Sequence, residues 1–199
     1  RTALMGFFSL ILGYLLGSIP SGWLAGRWLK GIDLRELGSG STGATNVLRQ
    51  VGKGPALVVF LIDVGKGAAA VLLARAFGQS DWIQVLAGLT ALAGHIWPVW
   101  LNFKGGKAVA TGFGMFLGLA WPVGLASFGV FLLTLWLFRI VSLSSVLAAV
   151  SLPLLMIRFS GIGSYILIAL VAMGLVLWRH RSNLSRILEG SEPKVGQQD

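Results

Sequence analysis

Apolar runs close to membrane-spanning length follow one another along almost the whole chain, and no other feature constrains its fold as strongly. Crossing a hydrocarbon core takes roughly 20 apolar residues in a helix. Runs of this kind occupy residues 4–28, 55–77, 82–101, 107–120, 122–139, 141–157 and 160–178. In lipid every backbone polar group must find its partner inside the protein, so such runs form helices. Composition agrees: 55% of residues are apolar and 12% charged, where soluble domains carry about 25% charge. The expected fold is all-α, a polytopic helical membrane protein with about seven transmembrane helices. It is expected to be a single integral membrane domain over 1–199, with 186–199 as a cytoplasmic tail.

The breaks have physical causes. Gly78, Gln79, Ser80 and Asp81 are polar, Trp121 and Pro122 disfavour a continuous helix, and Arg158, Ser160 and Gly161 divide the last pair. The run at 107–120 would rise only about 21 Å as a helix, so its start is expected inside the membrane. If the 120–122 break were only a kink, the count would fall by one and both termini would share a side. The first run lacks a small-residue cleavage site and is followed by further runs, so it reads as a retained helix.

Charge supplies the orientation. Of the sixteen lysines and arginines, Arg27, Lys30, Arg35, Arg49, Lys53, Lys104, Lys107, Arg139, Arg179, Arg181, Arg186 and Lys194 fall on one set of alternating segments. Arg1, Arg75 and Arg158 fall on the other, and Lys66 lies within a run. The positive-inside rule then puts the amino terminus outside, the carboxyl terminus in the cytoplasm and the basic loops on the cytoplasmic face of the membrane. The net charge of +9 is spread between apolar runs rather than gathered in one arm, which argues against nucleic acid as a partner. The chain has no cysteine and its two histidines are far apart, so neither a metal site nor a cofactor is expected.

Two loops carry anion-binding chemistry. The longer, 31–54, contains Ser39, Gly40, Gly43, Thr45 and Asn46, followed by Arg49. Small residues admit an anion to the backbone amides, hydroxyl and amide groups add hydrogen bonds, and an arginine grips phosphate with two donors. The alternative is a flexible cytoplasmic linker. The second loop, Asn102 to Thr111, holds Lys104, Gly105, Gly106 and Lys107 ahead of a helix start, where unpaired amides and the helix dipole favour an anion. Here the plain alternative is lysines that anchor the helix at the headgroups. Neither loop has the spacing of a nucleotide P-loop.

Asp63 and Lys66 stand three apart on one helix face inside a run, which suits a mutually neutralising pair. His95, in an apolar stretch, reads as a packing residue. His180 lies just past the last run, with Asn183 on the same face if the helix continues. Serine-hydrolase and zinc-protease signatures are absent, as is a histidine followed five residues later by aspartate, and acidic residues are too few for a paired-carboxylate mechanism.

Together these segments resemble a known family. Ser39-Gly-Ser-Thr-Gly-Ala-Thr-Asn46 with Arg49, Gly94-His-Ile-Trp-Pro98 running to Phe103-Lys-Gly-Gly-Lys-Ala-Val-Ala-Thr111, Val141-Ser-Leu-Ser-Ser145, and His180 through Asn183 to Lys194 are similar, in order and spacing, to the bacterial acyl-phosphate glycerol-3-phosphate acyltransferases of the PlsY type. Ser41 departs from the pattern, which has asparagine there. The resemblance implies transfer of a fatty acyl group from acyl phosphate to the 1-hydroxyl of glycerol 3-phosphate, giving lysophosphatidic acid and inorganic phosphate. It implies essential roles for Ser39 and Arg49, glycerol phosphate held by the glycines of the second loop, action by His180 and Asn183, and a structural Glu192. Lys107 joins the expected catalytic set, with Gly40, Gly43, Thr45, Asn46, Lys104, Gly105, Gly106 and Ser142 expected to bind substrate. The partners would be glycerol 3-phosphate, fatty acyl phosphate and membrane lipids, and the resemblance places the protein in the bacterial inner membrane with its active site on the cytoplasmic side. The competing classes are a transporter of phosphorylated solutes, which basic loops beside a short helix would also suit, and a scaffold without chemistry.

Overall fold

The computed structural model describes residues 2–197, so Arg1, Gln198 and Asp199 lie outside the described residues, including the part each played in the charge count and the tail. The described residues form helices and connecting turns, with no strand among them. Large apolar side chains lie open on the helix surfaces, Leu61 at 58%, Leu154 at 69% and Trp136 at 77% exposed. Lipid is the solvent that tolerates such a surface. The chain divides into two compact units, Arg1–Leu119 and Ala120–Asp199.

The first unit opens with α1 (Thr2–Gly17) and α2 (Ser21–Lys30), which sequence reading joined as one span. Pro20 lacks an N–H and crowds the preceding turn, so the helix stops before it and restarts after it. The interruption is braced: Tyr14 Oη donates to Trp97 O at 2.7 Å and Trp100 Nε1 to Ser18 Oγ at 3.0 Å. Gly31, left-handed at φ 65°, closes α2 by returning its N–H to Arg27 O. Within the expected linker, the structure finds a 3₁₀ turn at Leu34–Glu36 and a short helix, α3 (Ala44–Gln50). Then come α4 (Lys53–Ala76) and α5 (Asp81–Ile96), joined by a tight turn at Gly78 and therefore antiparallel. The unit ends in α6 (Val109–Leu119), which rises only about 16 Å.

The second unit contains α7 (Trp121–Phe138), α8 (Val141–Phe159), α9 (Gly163–Arg179) and α10 (Arg181–Leu188). Extended backbone at Ala120 (φ −150°) breaks the helix ahead of α7, so the 120–122 interruption is more than a kink. Five segments are long and apolar enough to cross a membrane, and α9 read together with α10, which is bent from it by 61°, makes a sixth. The expected seventh, α6, is helical but too short to qualify. The chain end does not trail as a tail through its described part: Val195 N donates to Arg139 O at 2.7 Å and Glu192 is buried.

Candidate active site

Because α4 and α5 run antiparallel, the start of α4, the end of α5 and the loops attached to them share one end of the first unit. Arg35 fastens those loops to each other. Its Nε and Nη2 grip Asp33 at 3.0 and 2.6 Å while Nη1 donates to Leu101 O at 3.0 Å, at the mouth of the second loop. That hydrogen-bonded guanidinium holds the Asp33 carboxyl well below its ordinary range. A small recess opens beside the break between α1 and α2, lined among others by Ser21, Thr42, His95, Pro98 and Leu101.

Asn46 is the brace of the first loop. Its Nδ2 lies 3.1 Å from Leu34 O, 3.0 Å from Leu37 O and 2.9 Å from Ser41 O. The side chain is 1% exposed, so it shapes the loop from within rather than facing outward as expected of a substrate ligand. Ser41 does similar work, since its Oγ accepts Gly43 N–H at 3.2 Å. Ser39, ahead of the turn, and Arg49, on α3, are exposed, while Gly40 (φ 68°) and Gly43 on the turn and Thr45 in the first turn of α3 are half-buried.

The second loop differs from expectation in which amides it offers. Gly105 and Gly106 spend their N–H groups on Ile96 O and His95 O, both at 3.0 Å. A Cβ on Gly105 would run into His95 O, and one on Gly106 into His95 Nε2. These glycines therefore let the loop lie against the end of α5, and their amides are committed to protein carbonyls. Lys104 is exposed and Lys107 half-buried on either side of them. Asn102, Phe103 and Ala108 take left-handed backbone at φ 51°, 62° and 61°, a conformation that costs a residue with a Cβ about 1–2 kcal/mol. Contacts around the loop impose that shape.

In the second unit a buried carboxylate gathers the remaining candidates. Glu192 Oε1 accepts from Ser142 Oγ at 2.7 Å and Asn183 Nδ2 at 2.6 Å, while Oε2 accepts from Arg186 Nε at 2.6 Å. Burial pushes the Glu192 carboxyl upward, but those donors outweigh it and hold the group below its ordinary value. His180 is 3% exposed, at the bend between α9 and α10, so the helix does not continue straight past it. Its Nδ1 lies 2.8 Å from Val176 O. A carbonyl can only accept, so Nδ1 carries the proton and, in the neutral ring, Nε2 keeps the lone pair. Ser144 and Ser145 bond back to Ile140 O and Val141 O of their own helix.

A family model described as glycerol-3-phosphate acyltransferase matches residues 7–190, spanning both units. The chain belongs to the glycerol-3-phosphate acyltransferase family. A relative of that name from Parasynechococcus marenigrum (strain WH8102) is 75% identical over 188 residues, covering 94% of this chain and 89% of the relative. Another, from Synechococcus sp. (strain CC9605), is 70% identical over 98% of this chain and 97% of its own. Among solved structures, the glycerol 3-phosphate form of PlsY (YgiH), an integral membrane glycerol 3-phosphate acyltransferase, superposes with a TM-score of 0.91. Identity is 40%, with 96% of each chain covered. The lysophosphatidic acid form gives 0.88 at 39% identity, over 96% and 95%.

The protein is therefore a multi-pass membrane acyltransferase, and the expectation of a solute transporter finds no support among these relatives. Sequence reasoning missed Arg35 and Asp33, whose Asp-x-Arg spacing at a loop entry was the available signal. It also passed over Ser21 and the partners of His95.

Proposed function

We propose that this acyltransferase takes its acyl group from a fatty acyl phosphate and transfers it to the 1-hydroxyl of glycerol 3-phosphate, releasing lysophosphatidic acid and inorganic phosphate. The observation that carries the reading is the joined pair of basic, glycine-rich loops in the first unit, tied by Arg35 to Leu101 O. The glycerol 3-phosphate and lysophosphatidic acid forms of the solved relative supply the acceptor and product by likeness. An apolar, lipid-facing surface next to polar loops suits a donor with a fatty chain and a phosphate head. The site faces the cytoplasm in the bacterial inner membrane, the amino terminus lies outside, and the two units act as one acyltransferase domain.

In this mechanism the glycerol hydroxyl oxygen attacks the acyl carbonyl carbon, the bond from that carbon to the phosphate oxygen breaks, and phosphate leaves. Acyl phosphate is already activated, so orientation and charge stabilisation carry the rate and no covalent enzyme intermediate forms. Ser39 and Arg49, with Gly40, Gly43 and Thr45 giving access, hold one phosphate. Lys104 and Lys107, set by Gly105 and Gly106, hold the other. Asn46 and Ser142 act through the groups they brace. His180 and Asn183 position reactants, and the departing phosphate accepts the hydroxyl proton.

The deciding assay uses purified protein in detergent with glycerol 3-phosphate and palmitoyl phosphate, following released phosphate and lysophosphatidate in equal amounts. Product from palmitoyl coenzyme A with none from palmitoyl phosphate would overturn the donor.

A further inference from the structure

The mechanism above leaves unused a set of buried polar groups in the first unit. Asp63 and Lys66 on α4, His95 on α5 and Ser21 at the start of α2 are 1%, 4%, 7% and 8% exposed. Lys66 Nζ lies 2.8 Å from Asp63 Oδ1, 3.0 Å from Ile19 O and 3.0 Å from His95 Nδ1. Ser21 Oγ donates to the same Asp63 oxygen at 2.7 Å. Pro20 interrupts the helix there, and Ile19 O accepts from Ser21 N–H at 3.0 Å as well as from Lys66.

Hydrogen counting fixes the ring. An ammonium has three N–H donors and no acceptor, and Lys66 meets three acceptors. The third is His95 Nδ1, which must present its lone pair, so in the neutral ring the proton sits on Nε2. The reverse arrangement, a proton on Nδ1 aimed at Asp63, faces a 3.8 Å separation, too long for a hydrogen bond. Nε2–H is thus directed at the other side of the ring, where Gly106 lies so close that a methyl would collide with Nε2. The N–H groups of Gly105 and Gly106 return to the carbonyls of Ile96 and His95 itself. The imidazole is clamped from the membrane interior on one edge and abuts the lysine loop on the other.

Replacing a buried ion pair by apolar groups is often neutral or stabilising, so stability alone is a weak reason for one. We propose that His95, oriented by the Lys66–Asp63 pair, is a positioning residue that sets the 104–107 loop for the phosphate of glycerol 3-phosphate. The inference rests on assigning that loop to glycerol 3-phosphate.

Two substitutions separate the edges of the ring. His95→Asn keeps an acceptor near the Nδ1 position for Lys66 but stops short of Gly106, whereas His95→Gln places an N–H close to Nε2. In purified protein, His95→Asn is expected to raise the KM for glycerol 3-phosphate at least tenfold while kcat and the KM for palmitoyl phosphate stay within threefold. His95→Gln is expected to return the glycerol 3-phosphate KM to within threefold of wild type. An unchanged KM in His95→Asn, or equal losses of kcat and KM in both variants, would overturn the proposal. Should His95→Asn fail to fold, Gly106→Ala probes the same contact from the loop, and an unchanged glycerol 3-phosphate KM there would overturn it. A wild-type protein with no activity towards glycerol 3-phosphate would overturn the functional reading and this inference together, whereas an active wild type with an indifferent His95→Asn overturns this inference alone.

Discussion

One carboxylate in the second unit, Glu192, serves three donors of unequal value. Arg186 is 40% exposed, so its pair is screened by water and Arg186→Met should cost under about 1 kcal/mol. Asn183 and Ser142 are buried, and Glu192→Ala would remove the carboxylate acceptor of both, for about 3 kcal/mol of stability. Thermal unfolding of the purified protein in detergent measures both changes, and equal losses would contradict this ranking. The pH dependence comes from the sign of the shift. A carboxyl held below its ordinary value of 4.5 contributes its full stability above that pH and loses it as pH falls through the folded value. Glu192→Gln should lack that acid-side decline. His180 calls for kinetics. If the leaving phosphate takes the proton, His180→Ala should lower kcat by less than about 10²-fold, whereas a loss of about 10²–10⁴ at unchanged KM makes Nε2 the base. At this scale residue types were legible in the sequence and their partners were not. Asn46 stood in a polar loop in either reading, but its inward direction depends on where the carbonyls of Leu34, Leu37 and Ser41 point, which only the folded loop decides.

Helix α6 is the element on which the second loop depends, and it reaches that position by close backbone approach to α4. A Cβ on Gly67 would run into Thr111 O, and one on Gly114 into Val64 O. Small residues at a helix crossing permit this in a membrane, where packing rather than apolar burial drives association. Gly114→Ala should therefore cost about 1–3 kcal/mol by overpacking and, by pushing α6 from α4, raise the KM for glycerol 3-phosphate. Melting and kinetics of the one variant test both, and wild-type unfolding would show that α6 can shift without cost. The apolar runs were readable because hydrophobicity is a property of single residues summed along the chain. The interruption at Ser18 to Pro20 was not, because it lies within an apolar run and its use emerges only when Lys66 on α4 takes Ile19 O. Likewise α3 is seven residues long, too short for a periodic pattern to stand out from a loop.

Membrane orientation belongs to the whole chain, and the proposed arrangement makes specific demands on it. If the amino terminus is outside, the turn at Ser80 and the turn at Ser160 face the exterior, while Arg49, Lys104 and the end of α10 face the cytoplasm. The chain has no cysteine, so single introduced thiols report without background. Leu188 is 90% exposed, Ser80 is exposed and Ser160 is half-buried, each of the two serines at a helix junction. In intact spheroplasts, a membrane-impermeant maleimide should label Ser80→Cys and Ser160→Cys, and should label Leu188→Cys only after permeabilisation. Labelling of Leu188→Cys from outside would place α10, and with it His180 and Asn183, on the wrong side for a cytoplasmic phosphate donor. Opposite results at Ser80 and Ser160 would mean an odd number of crossings between them, the outcome required if the half-length α6 does not traverse the bilayer. Labelling therefore decides together the sidedness that charge implies and the one crossing that helix length leaves in question.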